Sequence, residues 1–214
     1  MKEIQNLRVD YVKGELTERD AASDPFAQFA KWFNEATALE IPDVNAMAVA
    51  TADARGTPSV RICLLKNFDE DGFTFFTNQQ SRKGRELTEN PKASLCFFWQ
   101  PLERQVRIDG VVEPVSREDA KTYFQSRPIG SQIAASISHQ SEAIKSRDEL
   151  ERVHAQLLAK HANDKAIELP DFWGGYRVVP SAIEFWQGRR SRLHDRLLYT
   201  RELDGKWSMK RLAP

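Results

Sequence analysis

Four arginines, one histidine and one aspartate fall within FWQGRRSRLHDRLLY, residues 185–199, between two aromatic, strand-like ends. Such a cluster can be a solvated basic loop, a surface that tracks nucleic-acid phosphates, or a site for small anions. If the strand at Trp186 continues, period two places Arg192, His194 and Arg196 on one face. Asp195 then points away, free to pair with another cation. Two guanidiniums flanking an imidazole on a sheet face are costly without an anionic partner. The cluster is compact and its cations are all arginines, whereas nucleic-acid surfaces spread lysines and aromatics. The pattern favours a small-anion site.

Three other stretches carry similar chemistry. TNQQSRKGREL places Ser81, Arg82 and Lys83 at a helix start, where exposed N–H groups and the helix dipole favour an anion. The plainer alternative is a capped surface helix with solvated charges. SVRICLLK sets Arg61 and Lys66 in an otherwise apolar strand. Five apart, they lie on opposite faces of a regular strand and share a site only if it bends. One cation on each exposed edge is the equal alternative. TYFQSRPIGS puts Tyr123 and Arg127 four apart on one helix face, with Ser131 just beyond a proline turn. Together they suit a phosphate ester. Alone, Arg127 is better explained as a cation answering the helix dipole.

The elements that must position these residues are readable from periodicity. DPFAQFAKWFNEATALE, SRKGRELTEN, SREDAKTYFQSR and SRDELERVHAQLLAKHAN read as helices, the third stopped by Pro128. NAMAVATAD with TPSVRICLLKNF reads as a hairpin, followed by strands FTFFT, KASLCFFWQ, RQVRIDGVVEPV and YRVVPSAIEFWQG. RLLYTREL and KWSMKRL flank an Asp-Gly turn. Sequential strands with a few helices between them give an α+β chain, mainly β: an antiparallel barrel with peripheral helices. Residues 1–24 read as a mobile N-terminal arm and 25–214 as one domain.

The chain has 31 Lys+Arg against 31 Asp+Glu, so its formal net charge is zero, which weighs against a nucleic-acid module. No CxxC or HExxH gives a metal signature. Cys63 and Cys96 sit in apolar runs and read as buried thiols. Without a signal core or a long apolar run, no membrane partner is expected and a cytoplasmic location follows. No glycine-rich phosphate loop occurs, so a bound nucleotide must be held otherwise.

With these motifs in view, IEFWQGRRSRLHDR and the C-terminal RLAP resemble the signature of the pyridoxine/pyridoxamine 5'-phosphate oxidase family. The likeness continues through RICLLK, FFTNQQSRKGREL, LERQVRIDG, YFQSRP, SHQS and FWGGYR, from about Leu7 onward. It implies a split β-barrel homodimer with FMN at the subunit interface. It also implies oxidation of pyridoxine or pyridoxamine 5'-phosphate to pyridoxal 5'-phosphate, with oxygen reduced to hydrogen peroxide and hydride passing from substrate C4' to flavin N5. By motif, Arg61, Lys66, Phe76, Thr77, Arg82, Lys83, Gln105, Gln140, Ser141, Trp186 and Arg196 are expected to contact FMN. Lys66, Tyr123, Arg127 and Ser131 are expected to hold the substrate phosphate. Arg192 and His194 are expected to meet the substrate ring as the catalytic pair, with Arg8 and Tyr11 closing over it. Ala134 stands where the family commonly has glycine, and Glu142 where it has a second serine. A non-catalytic relative binding flavin or pyridoxal phosphate would lose Arg127, Arg192 or His194, and all three are present.

Overall fold

In AMAVATA, Ala46–Ala52 (β1), every second side chain is buried, and Met47 and Val49 lie in the core. This strand pairs antiparallel with Pro58–Leu64 (β2) on one side and Lys92–Trp99 (β5) on the other. The computed structural model describes residues 3–7 and 10–214. Asn67–Asp69 (β3), Gly72–Asn78 (β4), Arg104–Pro114 (β6), Trp173–Gln187 (β7), Asp195–Arg201 (β8) and Trp207–Arg211 (β9) complete one antiparallel sheet. Its path runs β2-β1-β5-β6-β7-β4-β3, with β8 and β9 branching from β7.

The sheet curls because one edge of β7 serves two partners while β6 lines the other. Trp173–Val178 pairs with β4, while Ala182–Gln187 pairs with β8. A register shift between Asp109 and Gly110 on β6 supplies an irregularity where β7 changes partner. The far edges approach where the Lys66 N–H donates to the Thr74 carbonyl of β4, 2.8 Å away. Phe73, Phe75, Phe97, Phe185 and Tyr199 fill the enclosed space.

Helix Pro25–Ala38 (α1) plugs this core. Asp24 accepts the N–H of Ala27 and Pro25 occupies the first helical position, so the start is fixed by capping and by a preset φ. Phe29 and Trp32 reach Phe73, Phe97 and Phe185 with edge-on ring contacts at 4.9–5.3 Å. Arg82–Glu89 (α2), Arg117–Ser126 (α3), Ile129–Ile137 (α4) and Arg147–Lys160 (α5) lie around the barrel. The sequence reading has no counterpart for α4. Its segment starts after Pro128 without a side-chain cap.

Residues 11–18, within the segment read as an arm, are fastened to the barrel. Leu16 is buried, its N–H donates to Asp195, and Arg211 pairs with Glu18 and donates to the Leu16 carbonyl. No helix among the described residues is long and apolar enough to cross a membrane.

Candidate functional site

A cavity of about 930 Å³ opens between β2, β4, α2 and the α3–α4 corner. It gathers Arg61 and Lys66 from the β2 side, Phe76 and Thr77 from β4, and Arg82 and Lys83 from α2. Tyr123, Arg127, Gln140 and Ser141 complete it. Arg61 and Lys66 could share a site only if the strand bends, and it does. β2 ends at Leu64 and the chain turns into β3, so both face one cavity.

The start of α2 combines a capped helix end with two cations. Ser81 caps it by accepting the Gly84 N–H, and Ser141 accepts the N–H of Arg82 at 3.2 Å. A Cβ on Gly84 would fall 1.9 Å from the Gln79 carbonyl oxygen, so only glycine lets this turn close on the β4 end. Lys83 is 7% exposed, and its ammonium donates to Gln140 at 2.7 Å, Thr77 at 2.9 Å and Ser81 at 3.3 Å. All three acceptors are neutral. Burial pushes the Lys83 pKa down from its ordinary value, and the nearby Arg61 charge adds to this.

The sequence reading misses the carboxylate that organises the neighbouring arginines. Glu86 is 5% exposed and lies 2.8 Å from Arg82 Nε and 3.4 Å from Arg61 Nη2. Burial alone would raise its pKa. Hydrogen bonds from Ser59, Thr51 and Arg82, with the Arg61 charge, outweigh that and hold it at about 2. Arg61 also donates to Thr51 at 2.6 Å and to the Val49 carbonyl at 3.1 Å. The four-residue spacing from Arg82 was the available signal.

On the opposite wall the Phe76 ring stacks on Tyr123 at 4.1 Å and on Trp173 at 5.6 Å. Arg127, the C-cap of α3, lies over Trp173 at 5.1 Å. Its Nη1 is buried without a hydrogen-bond partner, and burial lowers the guanidinium pKa. An orphaned buried N–H of a cation is a group built for an anion. Lys66 Nζ lies 5.9 Å from the Tyr123 ring centroid. Ser131, on the first turn of α4, is not among the residues lining this cavity.

The cluster at 185–199 forms a separate cavity of about 630 Å³, lined by Tyr11, Trp186, Arg192 and His194 among others. The expectation that Arg192, His194 and Arg196 share one strand face is overturned. β7 ends at Gln187, Ser191 and Arg192 adopt positive φ (56° and 61°), and β8 starts only at Asp195. Arg196 instead turns to Glu184, with contacts at 2.8 and 3.1 Å that raise its pKa. Asp195 pairs with Arg211 and Arg189. The His194 Nδ1 accepts the Arg189 N–H at 3.0 Å, so neutral His194 carries its proton on Nε2. Burial, then the Arg192 charge, lower its pKa.

Register places the last expected residues. Gln105 pairs with Trp186, and Trp186 pairs with Arg196, forming one row across β6, β7 and β8 on the outer sheet face. The same face continues through Phe98 to Ala46, Ala48 and Ala50, which pair with Leu64, Ile62 and Val60. Val60 and Ile62 are each 67% exposed. Arg8 lies outside the described residues.

Residues 33–160 match a family model described as pyridoxamine 5'-phosphate oxidase. Residues 173–214 match one described as the pyridoxine 5'-phosphate oxidase C-terminal dimerisation region. A pyridoxine/pyridoxamine 5'-phosphate oxidase of Herminiimonas arsenicoxydans is 53% identical over 99% of both chains. The protein of that name from Bordetella pertussis is also 53% identical over 99% of both chains. Among solved structures, PhzG from Burkholderia lata, in complex with tetrahydrophenazine-1-carboxylic acid, superposes with a TM-score of 0.87 at 32% identity. That match covers 93% of this chain and 98% of PhzG.

Proposed function

Because the chain belongs to the pyridoxamine 5'-phosphate oxidase family, we propose that it oxidises pyridoxine 5'-phosphate and pyridoxamine 5'-phosphate to pyridoxal 5'-phosphate with FMN and oxygen. The observation that carries this reading is the presence of two anion posts in one cavity. One is the Ser81–Lys83 turn with Arg61. The other is Arg127, with its orphaned Nη1, beside Tyr123 and Lys66. Cofactor and substrate each bring a phosphate, and each finds its own post.

The residues present fit FMN. Arg61, Arg82 and Lys83 supply cations for its phosphate at the positive end of the α2 dipole. Thr77, Gln140 and Ser141 add polar atoms beside them, and Lys66 and Phe76 line the same cavity. FMN supplies the chemistry of taking a hydride from substrate C4' at N5 and passing the electrons to oxygen, giving hydrogen peroxide. Lys66, Tyr123 and Arg127 bind the substrate phosphate; Ser131, on the first turn of α4, stands outside the cavity lining. His194 donates from Nε2 to the ring oxygen, and the planar Arg192 guanidinium covers the ring face and orients it. Placement at near-attack distance, more than acid–base work, is what the protein contributes.

The two cavities belong to one site only if a second copy joins them. Each site takes the phosphate cavity from one protomer and Gln105, Trp186, Arg192, His194 and Arg196 from its partner. Support comes from the exposed Val60 and Ile62 on the same sheet face as Gln105 and Trp186, and from the dimerisation-region match over 173–214. The test is oxygen-dependent aldehyde formation from each phosphate ester with FMN added. Turnover of both esters, with free pyridoxine a very poor substrate, is expected. Equal turnover of the free vitamin would refute the phosphate posts.

A further inference from the structure

Glu103, the residue just before β6, is unusual in three respects. Its backbone is left-handed, at φ 54°, a conformation costly for a residue with a Cβ. It is 6% exposed. Its Oε2 accepts the N–H groups of both Val12 and Lys13, at 2.7 and 2.9 Å. A buried carboxylate that takes two backbone donors from a segment some ninety residues away is a strong, charge-assisted anchor.

The anchored residues directly follow Tyr11. The Tyr11 ring stands edge-on to Trp186 and to His194, with centroids 5.7 Å from each. Gly188 closes the contact from the other side. Its N–H donates to the Glu103 carbonyl at 2.8 Å. A Cβ there would lie 2.7 Å from Tyr11 Cγ and 3.1 Å from Glu103 Cβ. Strand end, carboxylate and tyrosine therefore meet with no space left between them. The other fastenings grip this segment further on: Arg189 at Gly14, Asp195 at Leu16 and Arg211 at Glu18. Glu103 is thus the anchor next to Tyr11.

We infer that Glu103 is a positioning residue that acts through the Val12 and Lys13 backbone to seat Tyr11 over the Trp186–His194 cavity. The inference rests on the reading of that cavity as the place of the substrate ring. Both hydrogen bonds go to one oxygen, so a glutamine carbonyl can replace it, whereas alanine cannot.

The test measures KM and kcat for pyridoxine 5'-phosphate, and FMN affinity, on the FMN-loaded enzyme. Glu103→Ala should raise KM about tenfold, as expected for loss of charge-assisted anchoring, with kcat and FMN affinity little changed. Glu103→Gln should recover most of the loss. Gly188→Ala keeps the carboxylate but crowds Tyr11, and should raise KM in the same way. In a Tyr11→Ala background, which raises KM itself, Glu103→Ala should add nothing. Additive losses would show that Glu103 acts elsewhere and overturn the inference, while leaving the substrate reading intact. An unchanged KM in Tyr11→Ala would overturn both.

Discussion

Replacing Glu86 with glutamine keeps the side chain's shape and removes its charge. Arg61 and Arg82 then face each other across a neutral amide beside Lys83. A carboxyl held at about 2 instead of 4.5 corresponds to roughly 3 kcal/mol, at about 1.36 kcal/mol per pH unit. The Arg82 side chain is 57% exposed, so solvent screens part of this and about 2 kcal/mol is a fair expectation. For a chain of this length that is a Tm lower by about 4–8 °C. The sign with pH follows from linkage. A depressed carboxyl gives stability that is present above its unfolded pKa and is lost as pH falls through the folded one. The wild type should therefore lose this advantage between pH 4.5 and about 2, and the two stability curves should converge there. Urea melts of both proteins across acid pH, without ligand, measure it. FMN should stabilise Glu86→Gln more than the wild type, because its phosphate replaces the missing negative charge. Equal stability at neutral pH, or a gap that persists undiminished into strong acid, would refute the reasoning.

Arg192→Lys should lose on the order of 10²-fold in kcat/KM, nearly as much as Arg192→Ala, with flavin absorbance unchanged, because an ammonium cannot cover a ring face. Near-normal turnover would mean that charge alone suffices. Arg127→Ala should raise KM for pyridoxine 5'-phosphate by about 10- to 100-fold while FMN content stays normal, the loss expected for a charge-assisted phosphate contact. Ile62→Glu puts a charge on the exposed outer face and should give monomers by sedimentation that bind FMN weakly; an intact dimer would remove this face from the interface. FMN affinity should fall as pH rises, at a pH below the ordinary lysine value of 10.5, since bound phosphate favours charged Lys83 and burial has lowered its pKa. Titrations with Lys83→Met should lack that pH dependence.

The local grammar of the fold was legible because single residues carry it. Asp24 and Ser81 cap the helices they precede, and Asp204-Gly205 turns β8 into β9 with glycine at φ 83°. Two features escaped because the deciding physics is not local. Ser191 and Arg192 take left-handed φ, which neither residue type announces, so the alternation assumed for the basic cluster breaks. Glu86, Glu103 and Glu184 looked like ordinary acids because several of their partners lie tens of residues away, at Arg61, Val12 and Arg107. Arg61, Lys66, Tyr123 and Arg127 line one cavity while Ser131 does not, and spacing alone could not have placed Lys66 there, since that required the break after Leu64.

A chain with equal numbers of acids and bases can still build a cationic site if the fold decides which bases are matched. Arg61 and Arg82 share Glu86, Arg196 takes Glu184, and Arg189 and Arg211 share Asp195. Among the described residues, Lys66, Lys83, Arg127 and Arg192 have no ion-pair partner of this kind. Lys83 rests on neutral oxygens and Arg127 on aromatic faces. Leaving Lys83 and Arg127 partly desolvated and unmatched costs stability, which an anionic ligand would recover. The matched arginines instead gain fixed positions, as Arg61 does from Thr51, Ser59 and Glu86. The division assigns two kinds of work. On the proposed reading, Lys66, Lys83 and Arg127 would supply much of the binding energy for two phosphates, while Arg61 and Arg82 would meet the cofactor phosphate from positions that Glu86 has already fixed.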